Sequence, residues 1–558
     1  MDPNGSMSPR HRLLPTTAGL VVGLTFLWLL SSCSSTEPAD LVLHNGKILT
    51  VDDDFSIQEA VAVRDGRIVE VGGNDLVARY AATRTIDLEG KTVLPGFNDT
   101  HLHVSGRPIR QIDLTETISI AQLQDQVRAK AEQLGEGEWI TGYGWSEDAL
   151  AEQRKPTRAE LDAAAPRNPV TLTRAGAHSA VVNSRALELA GITRNSPDPD
   201  RGILERDAQG ELTGVIRERQ DTVGRLVPPA TPDETRPSFV QNLRNLLEFG
   251  ITSFVQAGVS PEGFAEWETV YDLNGETLPR ASVQINWAGR DRMTAFGRKT
   301  GDGDERLRVG AVKVFVDGGF TGPSAYTIDE YRSQPGFHGS LDIDPEALRT
   351  IVHDAHEMGW QMGFHAIGDA AIRLIVSDFA EVLDASPREN HRHYLNHFTV
   401  RPPSEVMETM AAHDILITQQ PNFTYTLEGR YVEYLRAEHA AHNNPLRSPM
   451  DHGVFVALSS DILPIGPLVG IYAAVTRKGA SGAEYAPEER LTIEEAIIGY
   501  THNGAYITFE EGVKGTLEPG KLADMIVLSN DLLTIDAERI LDVEVETTIV
   551  GGRVVFER

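Results

Sequence analysis

The stretch PGFNDTHLH, residues 95–103, sets His101 and His103 two residues apart at the end of an apolar run. Side chains of a β-strand alternate faces with a period of two, so both imidazoles point one way and Leu102 points the other. Two neutral imidazoles on one face can grip a single divalent ion. Taken alone, so short a motif is better accounted for by a hydrogen-bonded pair at a surface turn, and the rest of the chain must arbitrate. It supplies Lys313 in RVGAVKVFVDGG, His365 in GFHAIGD, His397 in LNHF and Asp461 in SSD, each within or closing an apolar strand-like run. Four imidazoles and a carboxylate converging on one rim suit zinc or another first-row divalent metal. Lys313 is either a snorkelling or ion-paired lysine or, buried with a lowered pKa, an amine that combines with carbon dioxide. The resulting carbamate is an anion able to bridge two metal ions, so two ions per chain are expected.

These residues must be positioned by the elements that carry them. Eight apolar runs, at 93–103 and from 250, 280, 308, 361, 393, 415 and 454, alternate with helical patterns. That order predicts an α/β fold with a (β/α)8 TIM-type barrel over 93–507, whose chemistry gathers at the carboxyl ends of the strands. The gap at about 106–245 is too long for one crossover and holds its own strand and helix patterns, as expected of an inserted cap over the barrel mouth. Both chain ends, 37–92 and 508–558, carry short Val/Ile-rich runs broken by N-G, D-G or G-G, and together predict one small β-sandwich.

The chain has 558 residues, 41% hydrophobic and 24% charged, and a formal charge of −30. Such acidity excludes nucleic acid and anionic membrane surfaces as partners, which need a basic face. Phosphate-loop, serine-elbow and dinucleotide motifs are missing from the sequence. At the start, MDPNGS before Met7 reads as an appended leader. Basic MSPRHR, an uncharged run from Leu13 to Leu30 and LSSC then describe a secretory signal over 1–33. The apolar run could also serve as a marginal membrane span. LSSC resembles a bacterial lipobox, which makes Cys33, the sole cysteine, a lipidation site. An exported periplasmic or cell-envelope lipoprotein follows, held to a membrane only through its lipid, in the outer membrane of a Gram-negative source because Ser34 follows. The oligomeric state is left open.

In this order PGFNDTHLH, VKVFVDGG, HAIGDAA, SSD and THNGA…GVKGTLEPGKLADMIVL resemble the metal-dependent amidohydrolase superfamily, specifically amidohydrolase family 3, across about residues 40–556. The resemblance implies a barrel beside a sandwich and hydrolysis of an amide-type, non-peptide C–N bond in a small N-acyl or N-formyl substrate by a metal-activated hydroxide. It implies that His101, His103, Lys313, His365 and His397 hold zinc and that Asp461 is both ligand and proton shuttle. His178, in AGAHSAVVNSRAL, is a candidate substrate contact from the cap, with a hydrogen-bonded structural histidine as the alternative. Asp317 is a candidate pocket residue, with a turn-stabilising aspartate as its alternative. Asn396 stands where the family usually carries glutamate, which bears on the surroundings of His397, and Asn98 replaces a common apolar residue. His353 and His356 are expected on a solvated helix face, and His391, His393, His439 and His442 outside the site. A one-metal deaminase or cyclic imide hydrolase of the same superfamily, and a non-catalytic metal- or solute-binding lipoprotein, are the rival readings.

Overall fold

Eight short strands are built largely from buried residues, with Val, Ile and Ala foremost in the second to fourth, as suits a pleated surface covered on both faces. They are β1 (Phe97–Leu102), β2 (Ile251–Val259), β3 (Arg280–Asn286), β4 (Leu307–Lys313), β5 (Gly363–Ala366), β6 (Tyr394–His397), β7 (Leu416–Gln419) and β8 (Val456–Leu458). The structure, a computed structural model, describes residues 36–175, 179–200, 202–320, 324–462 and 464–558. The signal segment, Cys33 and His178 lie outside the described residues. Among the described residues no helix is long and apolar enough to cross a membrane.

Strands β1 to β4 pair in parallel in chain order, and so do β5 to β8. The two sheets also touch at their edges. Val312 N donates to Gln361 O at 2.8 Å and His365 N to Val314 O at 2.9 Å. At the other edge Asp461 N donates to His101 O at 2.9 Å, and Thr100 Oγ1 to Leu458 O at 3.0 Å. The whole is an α/β fold with mixed sheets.

Alternation along the strands sorts side chains into two layers. Ala311, Tyr394, Leu416 and Ala457 form one buried cluster, whereas Val312, Leu395, Ile417 and Val456 join the large core shared with the helices. The first layer is full. A Cβ on Gly363 would lie 2.4 Å from both Gln284 Nε2 and Tyr394 Cζ, so only glycine fits there. Two residues further along, on the same side as that layer, come Lys313, Asn396 and Thr418, which begin the polar floor of the site. Helices cover the other face. In Asp369–Ala385, Ile372, Ile375, Val376 and Phe379 recur at helical spacing and are buried.

The chain ends build two further sheets. One has Arg67–Gly72, Ala60–Arg64, Glu37–His44 and Tyr80–Asp87 in that order, and the other runs from Arg553–Glu557 through Val545–Val550, Met525–Leu528, Thr92–Pro95 and Lys47–Leu49 to Ile57–Gln58. They share a core that includes Leu43, Ile48, Val63, Val93, Met525 and Ile549. Strand Thr92–Pro95, which the sequence boundary at 92/93 divides, lies wholly in the second sheet. A buried bidentate pair ties these sheets to β3: Arg280 Nε and Nη2 reach Asp524 Oδ2 and Oδ1 at 2.7 and 3.0 Å. Removing one partner of such a pair strands the other charge and costs about 3–5 kcal/mol.

Between β1 and β2 a separate six-stranded sheet spans residues 111–217, with helices Ile120–Leu134, Arg158–Ala164 and Ser184–Leu189 and its own apolar clusters. Helix Pro232–Asn245, which the sequence assigns to the insertion, instead buries Phe239 and Leu243 in the main core, with Phe239 edge-on to Trp267 at 4.8 Å.

Candidate active site

The carboxyl ends of β1, β4, β5, β6 and β8 bring six residues together. The His101 ring lies 5.2 Å from that of His103 and 4.7 Å from that of His397, and His365 lies 4.4 Å from His397. His103 Nε2 is 3.7 Å from Asp461 Oδ1, and His397 Nδ1 is 4.0 Å from Asp461 Oδ2. Donor atoms of His101, His397 and Asp461 lie within 4.8 Å of one another. Lys313 Nζ, His101 Nε2 and His365 Nε2 are all buried without a hydrogen-bond partner. An unsatisfied buried polar atom costs about 1–3 kcal/mol, and three in one cluster are what a shared metal ion would satisfy. The donor set, imidazole nitrogen with a carboxylate and an amine, fits a divalent metal ion.

Neighbouring amides orient two of the rings. His101 Nδ1 meets Asn396 Oδ1 at 2.7 Å; that amide's Nδ2 donates to Gly363 O at 2.9 Å, and its Oδ1 also accepts from Thr418 Oγ1 at 3.0 Å. The carbonyl end therefore faces His101, which must carry its proton on Nδ1 and present a bare Nε2. His397 Nδ1 lies 2.8 Å from Gln420 Oε1, and Gln420 Nε2 donates to Ser459 Oγ at 2.8 Å. His397 thus also offers Nε2. The expectation that Asn396 bears on His397 is corrected here: it serves His101, and Gln420, which the sequence did not single out, serves His397. Neutral amides therefore orient both rings in this chain. Replacing Asn396 with Leu should weaken metal affinity by about 10–100-fold while leaving the melting temperature of the metal-free chain within a few degrees of the parent. Competitive chelator titration reads the first and calorimetry the second; unchanged affinity would remove Asn396 from the site.

Backbone conformation does the rest. His397 has φ 82°, Phe398 50° and Asp461 57°, all in the left-handed region. Such bulky residues hold these angles at a cost of order 1–3 kcal/mol, sustained by the packing around them. Alternation would send His397 to the face opposite Asn396. The left-handed turn ends β6 and brings the ring to the cluster instead.

Burial sets the protonation states. It pushes the Lys313 ammonium down to about 7, with Asp461 opposing, and lifts the Asp461 carboxyl to about 6, with Lys313 opposing. Burial and then the Lys313 charge push His103 down to about 4 and His365 to about 3. His101 and His397 fall well below the ordinary histidine value, chiefly through burial. All four imidazoles are therefore neutral at pH 7, the form that ligates metal.

Asp99, also passed over in the sequence, is wholly buried two residues before His101. It accepts from Ser460 N at 3.1 Å and from His101 N at 3.3 Å, clamping β1 to the loop that presents Asp461. The period of two that pairs His101 with His103 was signal enough to find it.

The substrate contact read for Asp317 gives way to its structural alternative. Its buried carboxylate accepts from Tyr326 N, Ile367 N and Gly368 N at 2.9, 3.0 and 2.9 Å and stands 3.8 Å from His365 Nε2, behind the cluster rather than in the cavity lining. His356 is buried rather than solvated, with Nδ1 3.2 Å from His393 Nε2 and Nε2 2.8 Å from Ser386 O. His439 meets Asp329 at 3.1 Å and His442 meets Glu489 at 3.2 Å, so neither joins the cluster.

A cavity of about 420 Å³ opens onto His103, His365, His397 and Asp461. No described residue of the 111–217 sheet lines it. A larger one, about 720 Å³, sits between the end-built sheets and β3, lined by Arg67, Arg280 and Glu305 among others, and contains none of the six converging residues.

With this geometry in place, comparison with known proteins is informative. A model of the amidohydrolase family matches residues 84–556, and the chain belongs to that family. It is 30% identical to the YtcJ protein of Bacillus subtilis over 533 residues, covering 93% of this chain and 99% of that one. It is 29% identical to the N-substituted formamide deformylase of Arthrobacter pascens over 555 residues, 94% and 99% of the two chains. Its fold matches that of an uncharacterised metal-dependent hydrolase from Pyrococcus furiosus with a TM-score of 0.70 at 26% identity, covering 88% of this chain and 100% of that one. The protein is a metal-dependent hydrolase that acts on carbon–nitrogen bonds.

Proposed function

We propose that the protein hydrolyses the non-peptide amide bond of a small N-acyl compound, N-formyl compounds included, at a zinc site held by His101, His103, His365, His397, Asp461 and a carbamylated Lys313. The observation that carries this reading is the convergence of those six residues on one buried rim, with His101 Nε2, His365 Nε2 and Lys313 Nζ unpartnered, at the floor of the 420 Å³ cavity. The eight strands, joined at both sheet edges, are read as a closed (β/α)8 barrel with the end-built sheets as its β-sandwich and the 111–217 unit as its insertion. The formamide deformylase among its relatives supports an N-formyl member of the substrate class.

A divalent metal bound here supplies Lewis acidity and lowers the pKa of water toward neutrality. The chain supplies the rest. Lys313, neutral above pH about 7, can add its amine to carbon dioxide and release a proton, replacing a buried unpaired cation by an anion that suits two ions. Asn396 and Gln420 hold two imidazoles in the ligating tautomer. Asp461 accepts a proton from the attacking water on a carboxylate oxygen as the new C–O bond forms. It then delivers that proton to the amine nitrogen, which leaves with the C–N bonding pair, so the products are a carboxylic acid and an amine.

Zinc-loaded full-length chain should release primary amine from members of a panel of N-formyl and N-acetyl amines, with close to two zinc ions per chain by metal analysis. Absence of amine release from every member, with metal bound, would count against the reading.

A further inference from the structure

We infer that the cavity above the metal-ligand cluster takes an uncharged amide bearing an aromatic or aliphatic group, and rejects amides that carry a carboxylate next to the scissile nitrogen. The inference rests on the hydrolytic reading above and names its substrate class.

Two segments build the wall, one following β4 and one following β7. Phe320, from the first, meets Tyr431, from the second, edge-on at 5.7 Å and 67°. The Phe423 ring stacks on His397 at 6.0 Å and 11°, so apolar surface begins at the edge of the ligand cluster itself. Tyr431 directs its hydroxyl to Asn444 Oδ1 at 3.4 Å, which leaves its ring for the wall. Leu427 lies beside them. Across the opening, Phe315 and Ile462 keep 46% and 51% of their surface exposed. Large apolar side chains left open around a concave site are the expected surface for an apolar ligand group, and about 420 Å³ lies within the range of small-molecule sites.

Charge completes the argument. Among the described residues the lining includes no arginine or lysine, and its one carboxylate is Asp461. Lys313 sits within the ligand cluster rather than in the lining, with Nζ 4.9 Å from the centre of the Phe315 ring. Along the described wall a substrate carboxylate finds no cation, and the counter-charge on offer lies at the metal-ligand cluster, where the scissile amide must bind instead, a penalty of several kcal/mol against an uncharged analogue. At about 1.4 kcal/mol per factor of ten this amounts to at least about 100-fold in kcat/KM.

The test is a matched panel on zinc-loaded full-length chain: N-formyl- and N-acetyl-2-phenylethylamine, the corresponding N-acylphenylalanines of both configurations, and their uncharged phenylalaninamides. The phenylethylamine derivatives should exceed the acylphenylalanines by at least about 100-fold in kcat/KM, with most of the loss recovered in the amides. Leu427→Arg, which adds a cation to the wall, should narrow that gap, and Phe423→Ala should raise KM for the phenylethyl compounds by about 10-fold or more. Acylphenylalanines cleaved as well as the uncharged compounds would overturn the inference and leave amide hydrolysis intact. If no amide is cleaved the hydrolytic reading falls, and calorimetric binding of the same panel decides the inference. Tighter binding of the phenylethyl amides, weakened in Phe423→Ala, upholds it; equal binding of charged and uncharged compounds, or none, overturns it.

Discussion

Asp461→Asn is expected to lower turnover by about 10²–10⁴ while metal content and melting temperature stay near those of the parent. The carboxylate sits 3.7 Å from His103 and 4.0 Å from His397, and the proposed mechanism makes it both ligand and proton acceptor. Asparagine keeps one oxygen for ligation and keeps the shape, but it has no basic oxygen to accept the proton. His101 and His397 cannot take over, because each carries its hydrogen on Nδ1 against an amide oxygen and offers Nε2 to the metal. The pH dependence follows with a definite sign. Burial raises the carboxyl to about 6 from 3.8, so the working base is lost as pH falls through that region, and a bound cation moves the limb lower. The acid limb of the kcat/KM profile should lie at pH 6 or below and vanish in Asp461→Asn. In metal-free protein the folded state binds more protons than the unfolded state between about 4 and 6, so stability falls as pH rises through that window, and the substitution should flatten that slope. Steady-state kinetics, metal analysis and calorimetry on one preparation decide the matter. Turnover close to the parent rate would move the proton shuttle to another group.

Lys313→Met is expected to do two opposite things: abolish most metal binding and turnover, and stabilise the metal-free chain. Its ammonium is 2% exposed, has no hydrogen-bond partner and is pushed from 10.5 down to about 7 by burial. The unfolded chain therefore binds more protons than the folded one between pH 7 and 10.5, and stability of the metal-free parent rises with pH across that window. Below pH 7 the lysine is charged and the full penalty applies. Methionine, similar in volume and apolar, removes it, for a gain of up to about 4 kcal/mol at pH 6 that shrinks as pH approaches 10. Lys313→Ala leaves space instead, and added short carboxylic acids should restore part of its metal content and activity by standing in for the carbamate. Thermal unfolding from pH 6 to 10 with chelator, and metal analysis without it, test both halves. A methionine variant with full metal and parental turnover would refute the bridging role.

Much of the candidate site is legible in the sequence. His101 and His103 share a face because alternation along a strand is local and the spacing of two needs nothing from the rest of the chain; the same rule reaches Asp99. The positions of Lys313, His365, His397 and Asp461 in or just after successive apolar runs follow from the preference of parallel α/β sheets to gather polar residues at the carboxyl ends of their strands. What the linear pattern does not carry is how neighbouring strands and loops meet. Asn396 is adjacent to His397 in the chain yet faces His101, and Gln420 reaches His397 from the end of β7, because those partners depend on the register of β6 against β5 and β7. His397 itself joins the cluster through a left-handed φ that no residue preference encodes and that surrounding packing sustains. Asp317 looked like a pocket residue from its place after Lys313, but its carboxylate takes one amide proton from the loop that follows and two from the turn after β5. The aromatic wall is likewise a product of the tertiary structure. Phe320 and Tyr431 lie on segments far apart in sequence whose only common property is that the fold brings both to one rim, and contacts of that kind are settled by packing between elements rather than by the pattern within any one of them.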